Sequence, residues 1–92
     1  RGAALEELLP VIDALVVVGG RASNNTRQLV LRGQERGVAT LHIENESELE
    51  AAWFVGRRVV GLTAGTSTLP ATIDAVYERL IGLATGVLPT AP

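Results

Sequence analysis

The 92 residues predict an α/β domain, a small three-layer sandwich around a three-stranded parallel sheet. Three observations carry that expectation. "ALVVVG", residues 14 to 19, is an unbroken apolar, β-branched run of the kind found in strands covered on both faces, as in parallel sheets. Strand-like segments alternate with segments of helical period. Glycines mark the exits from two of the strands, at Gly19, Gly20 and Gly65. Such alternation implies parallel pairing through right-handed crossovers, and a 2-1-3 strand order is the most economical arrangement.

The elements follow in order. "AALEELL", residues 3 to 9, places Leu5, Leu8 and Leu9 on one helical face, and Pro10 stops the helix. After the first strand, a helix opens near Ser23 and ends at Gly37, with Thr26, Leu29, Val30 and Gly33 as its inward stripe. Gly33 weakens that helix by about 1 kcal/mol relative to alanine, so close approach to the sheet is its expected compensation. Gly37 suits a left-handed C-terminal cap. "VATLHI", residues 38 to 43, is the second strand and "RVVGLT", residues 58 to 63, the third. The last helix follows Pro70, which a first turn tolerates, and turns Ile73, Val76, Tyr77, Leu80 and Ala84 inward. Residues 1–84 form the expected domain. The two prolines of "GVLPTAP" predict a flexible tail over residues 85–92.

Composition narrows the function classes. A 92-residue chain with 47% hydrophobic residues fits one folded domain and is not a disordered segment as a whole. No apolar stretch approaches the roughly 20 residues that span a bilayer. No basic leader precedes a cleavage site, so a cytoplasmic location without a membrane partner is expected. The net charge is −2 and aromatics make up 3%. The basic residues are scattered arginines, so no nucleic-acid partner is expected. There is no cysteine, hence no disulfide and no thiolate for zinc or an iron–sulfur cluster within this chain.

Two polar junctions stand out, "GGRASNNT" after the first strand and "TAGTST" after the third. A 2-1-3 order puts the C-terminal ends of those strands side by side, where open α/β sheets bind ligands. A helix N-terminus leaves about four backbone N–H groups unpaired and carries roughly half a positive charge. Glycines admit an anion close to the backbone, and Ser, Thr and Asn add donors, so two converging openings suit a phosphate or diphosphate. Ordinary N-capping uses the same residue types and stays open as the plainer account. One cap needs one side chain, however, and Ser23 to Thr26 supply four in a row. Neither junction matches a Walker loop or the G-x-G-x-x-G dinucleotide fingerprint.

The remaining features read as structural. "ENESELE", Glu44 to Glu50, fits a solvated connection or short exposed helix. His42 fits a satisfied or edge-facing strand residue. Trp53 and Phe54 fit a packing plug under the connection to the third strand. Arg21, the basic residue nearest the first junction, fits a phosphate clamp or an exposed side chain equally well.

Taken together, "DALVVVGGRASNNTRQLV", the later "GV-x-T-x-x-I-E-x-x-x-E-L" and "WFVGRRVVGLTAGTST-x-P" resemble the C-terminal domain of LytB-type 4-hydroxy-3-methylbut-2-enyl diphosphate reductases, from about Leu5 to Leu80. The resemblance implies a parent enzyme of three similar α/β domains around an iron–sulfur cluster of the 4Fe-4S type held by three cysteines. That enzyme takes electrons from an external donor and reductively removes the allylic hydroxyl of an isoprenoid diphosphate substrate. Isopentenyl and dimethylallyl diphosphates result, in the last step of the non-mevalonate pathway of isoprenoid biosynthesis. Carried over, the family's motifs make Ser23, Asn25 and Ser67 ligands of the substrate diphosphate. Asn24 stands where the family often has a further serine contact. No catalytic or metal-binding residue is implied in this chain.

The family's cluster cysteines, its histidines and its glutamate implicated in proton delivery have no counterpart here. With the missing methionine, this suggests an excised C-terminal piece that starts after the third cluster ligand and is inactive alone. It would depend on the upstream domains of the same polypeptide. A lost strand is then expected to border the sheet or to separate the first and third strands, leaving an exposed edge. Two other classes remain open from the residues: a non-catalytic anion- or phosphate-binding regulatory module, and a purely structural domain with capped helices.

Overall fold

The computed structural model describes residues 4–90. Helix α1 (Leu5–Leu8) is continued by a 3-10 turn over Leu9–Val11, and strand β1 (Ala14–Val18) follows. Helix α2 (Asn24–Glu35) leads to strand β2 (Ala39–Ile43). Two further 3-10 turns, Glu46–Glu48 and Ala51–Phe54, lead to strand β3 (Val59–Ala64). Helix α3 (Pro70–Leu80) and strand β4 (Gly86–Pro89) complete the chain. The sheet is wholly parallel in the order β2-β1-β3-β4.

Strand β1 sits at the centre, with every residue buried, as its unbroken apolar run requires. Its side chains alternate between two cores. Ala14, Val16 and Val18 join Ile43, Phe54, Leu62, Val76 and Leu80 beneath α3 and the 3-10 turns. Leu15 and Val17 join Leu5, Leu8, Leu9 and Ile12 beneath α1 and α2. The three-layer architecture expected from the sequence is therefore present.

Local chemistry sets the boundaries. Ser23 caps α2, its hydroxyl accepting the Thr26 amide at 3.3 Å. At the other end, Gly37 takes a positive φ of 75°. Its amide bonds Gln34 O at 3.0 Å while Val38 N bonds Gly33 O at 3.0 Å, which together make a Schellman cap. Gly33 lies against the sheet as expected, for a Cβ there would meet Thr40 Oγ1 at 2.4 Å and Leu15 Cδ2 at 2.9 Å. Phe54 is buried and meets Trp53 edge-to-face at 5.0 Å, so the aromatic pair does plug the connection before β3. The acidic run forms the 3-10 turn Glu46–Glu48, capped by the Asn45 side chain, and anchors itself through buried Leu49.

Three expectations are corrected. The tail is not loose over its described part: Gly86–Pro89 pairs with Val59–Leu62 as a fourth parallel strand. Gly86 N bonds Arg58 O and Thr90 N bonds Leu62 O, both at 2.8 Å. In a parallel pair, alternate residues donate inward. Pro89 therefore falls on a position whose missing N–H would have faced outward, which is why an edge strand accepts it. Residues 91 and 92 lie outside the described part, as does the expected start of the first helix at Ala3. Second, the expected 2-1-3 order is present, and the strand that was to separate β1 from β3 is not: the two pair directly from Ala14↔Val60 to Val18↔Ala64. Third, α3 stops at Leu80 rather than reaching Ala84. The chain turns at Gly82, and Ala84 still packs against the core. Among the described residues, no helix is long and apolar enough to cross a membrane.

Asp13 ties the start of β1 to that of β3. Its Oδ2 accepts the Arg58 amide at 2.7 Å and the Val59 amide at 3.1 Å. These hydrogen bonds, from Val59 first and Arg58 second, hold its carboxyl below the ordinary aspartate range. A depressed folded-state pKa contributes stability above the unfolded-state value, and that stability is lost as pH falls through the folded one. Asp13→Asn should therefore lower the urea midpoint at neutral pH, and the gap to wild type should close as the pH drops below about 4. Urea titrations of both proteins across that range check it.

Candidate functional site

Direct β1–β3 pairing brings both polar junctions to one end of the sheet. β1 and β3 each exit into a glycine: Gly19 N bonds Ile43 O, and Gly65 N bonds Val18 O, each at 2.9 Å. The last carbonyl of β1, Val18 O, also accepts Thr68 Oγ1 at 3.1 Å. Thr68 therefore belongs to the seam between the strands. It does not cap α3, whose N-cap is Leu69 with no side-chain bond. Ordinary capping thus accounts for Ser23 at the first junction and for no hydroxyl at the second.

A hydrogen bond to the Asn25 side chain ties the first junction to the second. Asn25, in the first turn of α2, accepts the backbone N–H of Thr66 through Oδ1 at 2.9 Å. Only the carbonyl oxygen of an amide can accept, so this bond fixes the orientation of the Asn25 side chain. Its Nδ2 is left as a donor facing away from Thr66. Ser67 follows Thr66 in the tight turn closed by Thr68 N and Gly65 O at 3.0 Å, and its side chain is exposed. Asn24 is exposed at the first position of α2, beside the half-buried Ser23. The amides of Asn24 and Asn25 lack intrahelical acceptors by their position in the first turn.

The four residues singled out from the sequence thus fall on adjoining turns, with Asn25 and the Ser67 turn in direct contact. Ser23 and Ser67 make no hydrogen bond to one another. A cavity of about 570 Å³ opens beside the second junction, lined by Thr63, Gly65, Thr66, Thr68, Ile73 and Thr90 among others. It does not include the four predicted residues, and it was not legible from the sequence, because Thr90 and Pro89 reach it only through the unforeseen β4. Among the described residues, no cluster of His, Cys, Asp or Glu suits a metal ion.

The charges on the β2 side of the first junction engage one another. The Arg21 guanidinium pairs with Glu48 and lies 3.9 Å from Glu44. The Arg21 amide bonds Glu44 Oε2 at 3.1 Å. The Arg21 side chain is exposed and is engaged by the acidic turn. His42 Nε2 meets Gly19 O at 2.9 Å, which requires its proton on Nε2 and makes it a satisfied strand residue. The first junction is therefore braced from the β2 side while its polar face stays free of carboxylates from α2.

Comparison with known proteins adds a second line of observation. The profile of a family described as "LytB protein" matches residues 1–81. A 4-hydroxy-3-methylbut-2-enyl diphosphate reductase of Aquifex aeolicus is 36% identical over 96% of this chain and 30% of its own length. That of Anaeromyxobacter sp. (strain Fw109-5) is 45% identical over 90% of this chain and 29% of its own. A solved (E)-4-hydroxy-3-methyl-but-2-enyl diphosphate reductase, described as the terminal enzyme of the non-mevalonate pathway, superposes with a TM-score of 0.79 at 38% identity. That match covers 84% of this chain and 27% of the other. The chain spans about 30% of the length of the curated relatives it matches.

Exposed ion pairs such as Arg21–Glu48 contribute roughly 0–1 kcal/mol. Arg21→Ala is accordingly expected to cost no more than about 1 kcal/mol of stability, with a smaller loss at molar salt. Denaturant titrations at low and high ionic strength check both statements.

Proposed function

This chain belongs to the LytB protein family, and from that premise we propose that it is the diphosphate-anchoring lobe of a 4-hydroxy-3-methylbut-2-enyl diphosphate reductase. The bond from Thr66 N–H to Asn25 Oδ1 is the observation that supports the reading best. It makes two glycine-preceded turns into one polar surface.

Each residue has a distinct part in this proposal. Asn25 presents Nδ2 to a phosphoryl oxygen, because its Oδ1 is occupied by Thr66. The Ser67 hydroxyl donates from the adjoining turn. Ser23 accepts the Thr26 amide and keeps its own proton to donate. Asn24 adds an amide at the helix start, where the backbone dipoles favour negative charge. Such neutral donors hold a diphosphate without a lysine. Fixing the charged end limits where the rest of the substrate can lie, which supplies orientation rather than bond chemistry.

The chemistry itself needs groups from elsewhere in the polypeptide. An iron–sulfur cluster takes cysteine thiolates, and this chain has none; its residues do not fit the cluster. The proposal therefore assigns the cluster to upstream domains, reduced by an external electron donor, and expects no reductase activity from these 92 residues alone.

The test is steady-state kinetics on the full-length enzyme. Hydrogen bonds to charged groups contribute about 1.5–3 kcal/mol, so Ser67→Ala and Asn25→Ala should each raise KM by roughly ten- to a hundredfold. Turnover should change less than KM does. Unchanged KM in both variants would remove the assignment.

A further inference from the structure

We propose that Thr26 is a positioning residue whose buried side chain sets the separation of the two junctions. The inference rests on the diphosphate reading for its functional consequence, though not for its geometry.

Thr26 is fully buried on the first turn of α2, and its hydroxyl oxygen has no hydrogen-bond partner among the described residues. Burying a hydroxyl unpaired is unfavourable, and helix propensity gives no reason to prefer threonine there. The surroundings supply the reason. A Cβ built on Gly19 would lie 2.2 Å from Thr26 Oγ1, and a Cβ built on Gly65 would also lie 2.2 Å from it. Both glycines, one at each strand exit, therefore aim a Cα–H at the same oxygen. Such contacts are weakly favourable and draw carbon and oxygen closer than two carbons would approach. A methyl group in place of Oγ1 would be larger and would push at least one glycine away.

The consequence follows from connectivity. Thr26 N holds Ser23 Oγ, and Asn25 precedes Thr26 in the chain. Gly65 precedes Thr66 and Ser67. A side chain wedged between Gly19 and Gly65 therefore governs how far Ser23 and Asn25 stand from Ser67. Valine, nearly isosteric with threonine, tests the oxygen specifically, and serine keeps it.

The experiment compares Thr26→Val and Thr26→Ser in the full-length protein, with Ser67→Ala as reference. Two quantities are read: hydrogen-exchange protection of the Thr66 amide without ligand, and affinity for inorganic pyrophosphate by calorimetry. Thr26→Val should lose Thr66 protection and about tenfold in pyrophosphate affinity, equivalent to one hydrogen bond. Thr26→Ser should restore both to near wild type. Wild-type protection of Thr66 in Thr26→Val would overturn the inference. If Thr26→Val does not fold, Thr26→Ala, which leaves a gap where valine crowds, must still lose Thr66 protection for the inference to stand. Should pyrophosphate bind neither wild type nor Ser67→Ala, the diphosphate reading fails. The exchange measurement then still decides the spacing role on its own.

Discussion

The polar end of the sheet takes its geometry from the parallel pairing of β1 with β3. Adjacent strands lie about 4.8 Å apart, so pairing that runs to Val18↔Ala64 delivers two chain exits to neighbouring points. Had another strand stood between them, neither the Asn25–Thr66 bond nor the glycine contacts to Thr26 would be possible. The burial of every β1 side chain is what makes that pairing durable. Both cores share β1 as their common wall, so the two sides of the sandwich stabilise the same register.

What the pairing assembles is a surface of neutral donors. Its polar atoms come from backbone amides, two asparagines and two serines. Arg21, the arginine within the first junction, is held by the acidic turn, which braces the loop. Asn25 is the hinge of this arrangement, since one end of its amide secures the neighbouring turn and leaves the other end free to donate. The same division explains why asparagine suits this position. A serine is too short to do both, and an aspartate carries no N–H to donate.

Much of this was legible in the residues. The run from Ala14 to Val18 announced a central strand, and Ser23 and Gly37 bracketed α2 nearly to the residue. Both features are local, depending on β-branched packing in one case and on caps in the other. Long-range features were not. The bond between Asn25 and Thr66 spans 41 positions, and no pattern at either end distinguishes an amide that bridges from one that caps. The fourth strand was hidden for a different reason. Prolines read as strand breakers, and only the alternation of inward donors at an edge lets Pro89 stand in one. The roles assigned to Ser23, Asn24, Asn25 and Ser67 came from the combination of clustered polar side chains with family resemblance, since chemistry alone left capping as a rival.

The proposed anchoring role requires that the two turns share one ligand. A crystal structure of the full-length protein soaked with 4-hydroxy-3-methylbut-2-enyl diphosphate is the sharpest test of it. The expected result is one diphosphate group within hydrogen-bonding distance of Asn25 Nδ2 and Ser67 Oγ together. A diphosphate that touches only one of the two turns, or that binds elsewhere while both keep their present geometry, would contradict it.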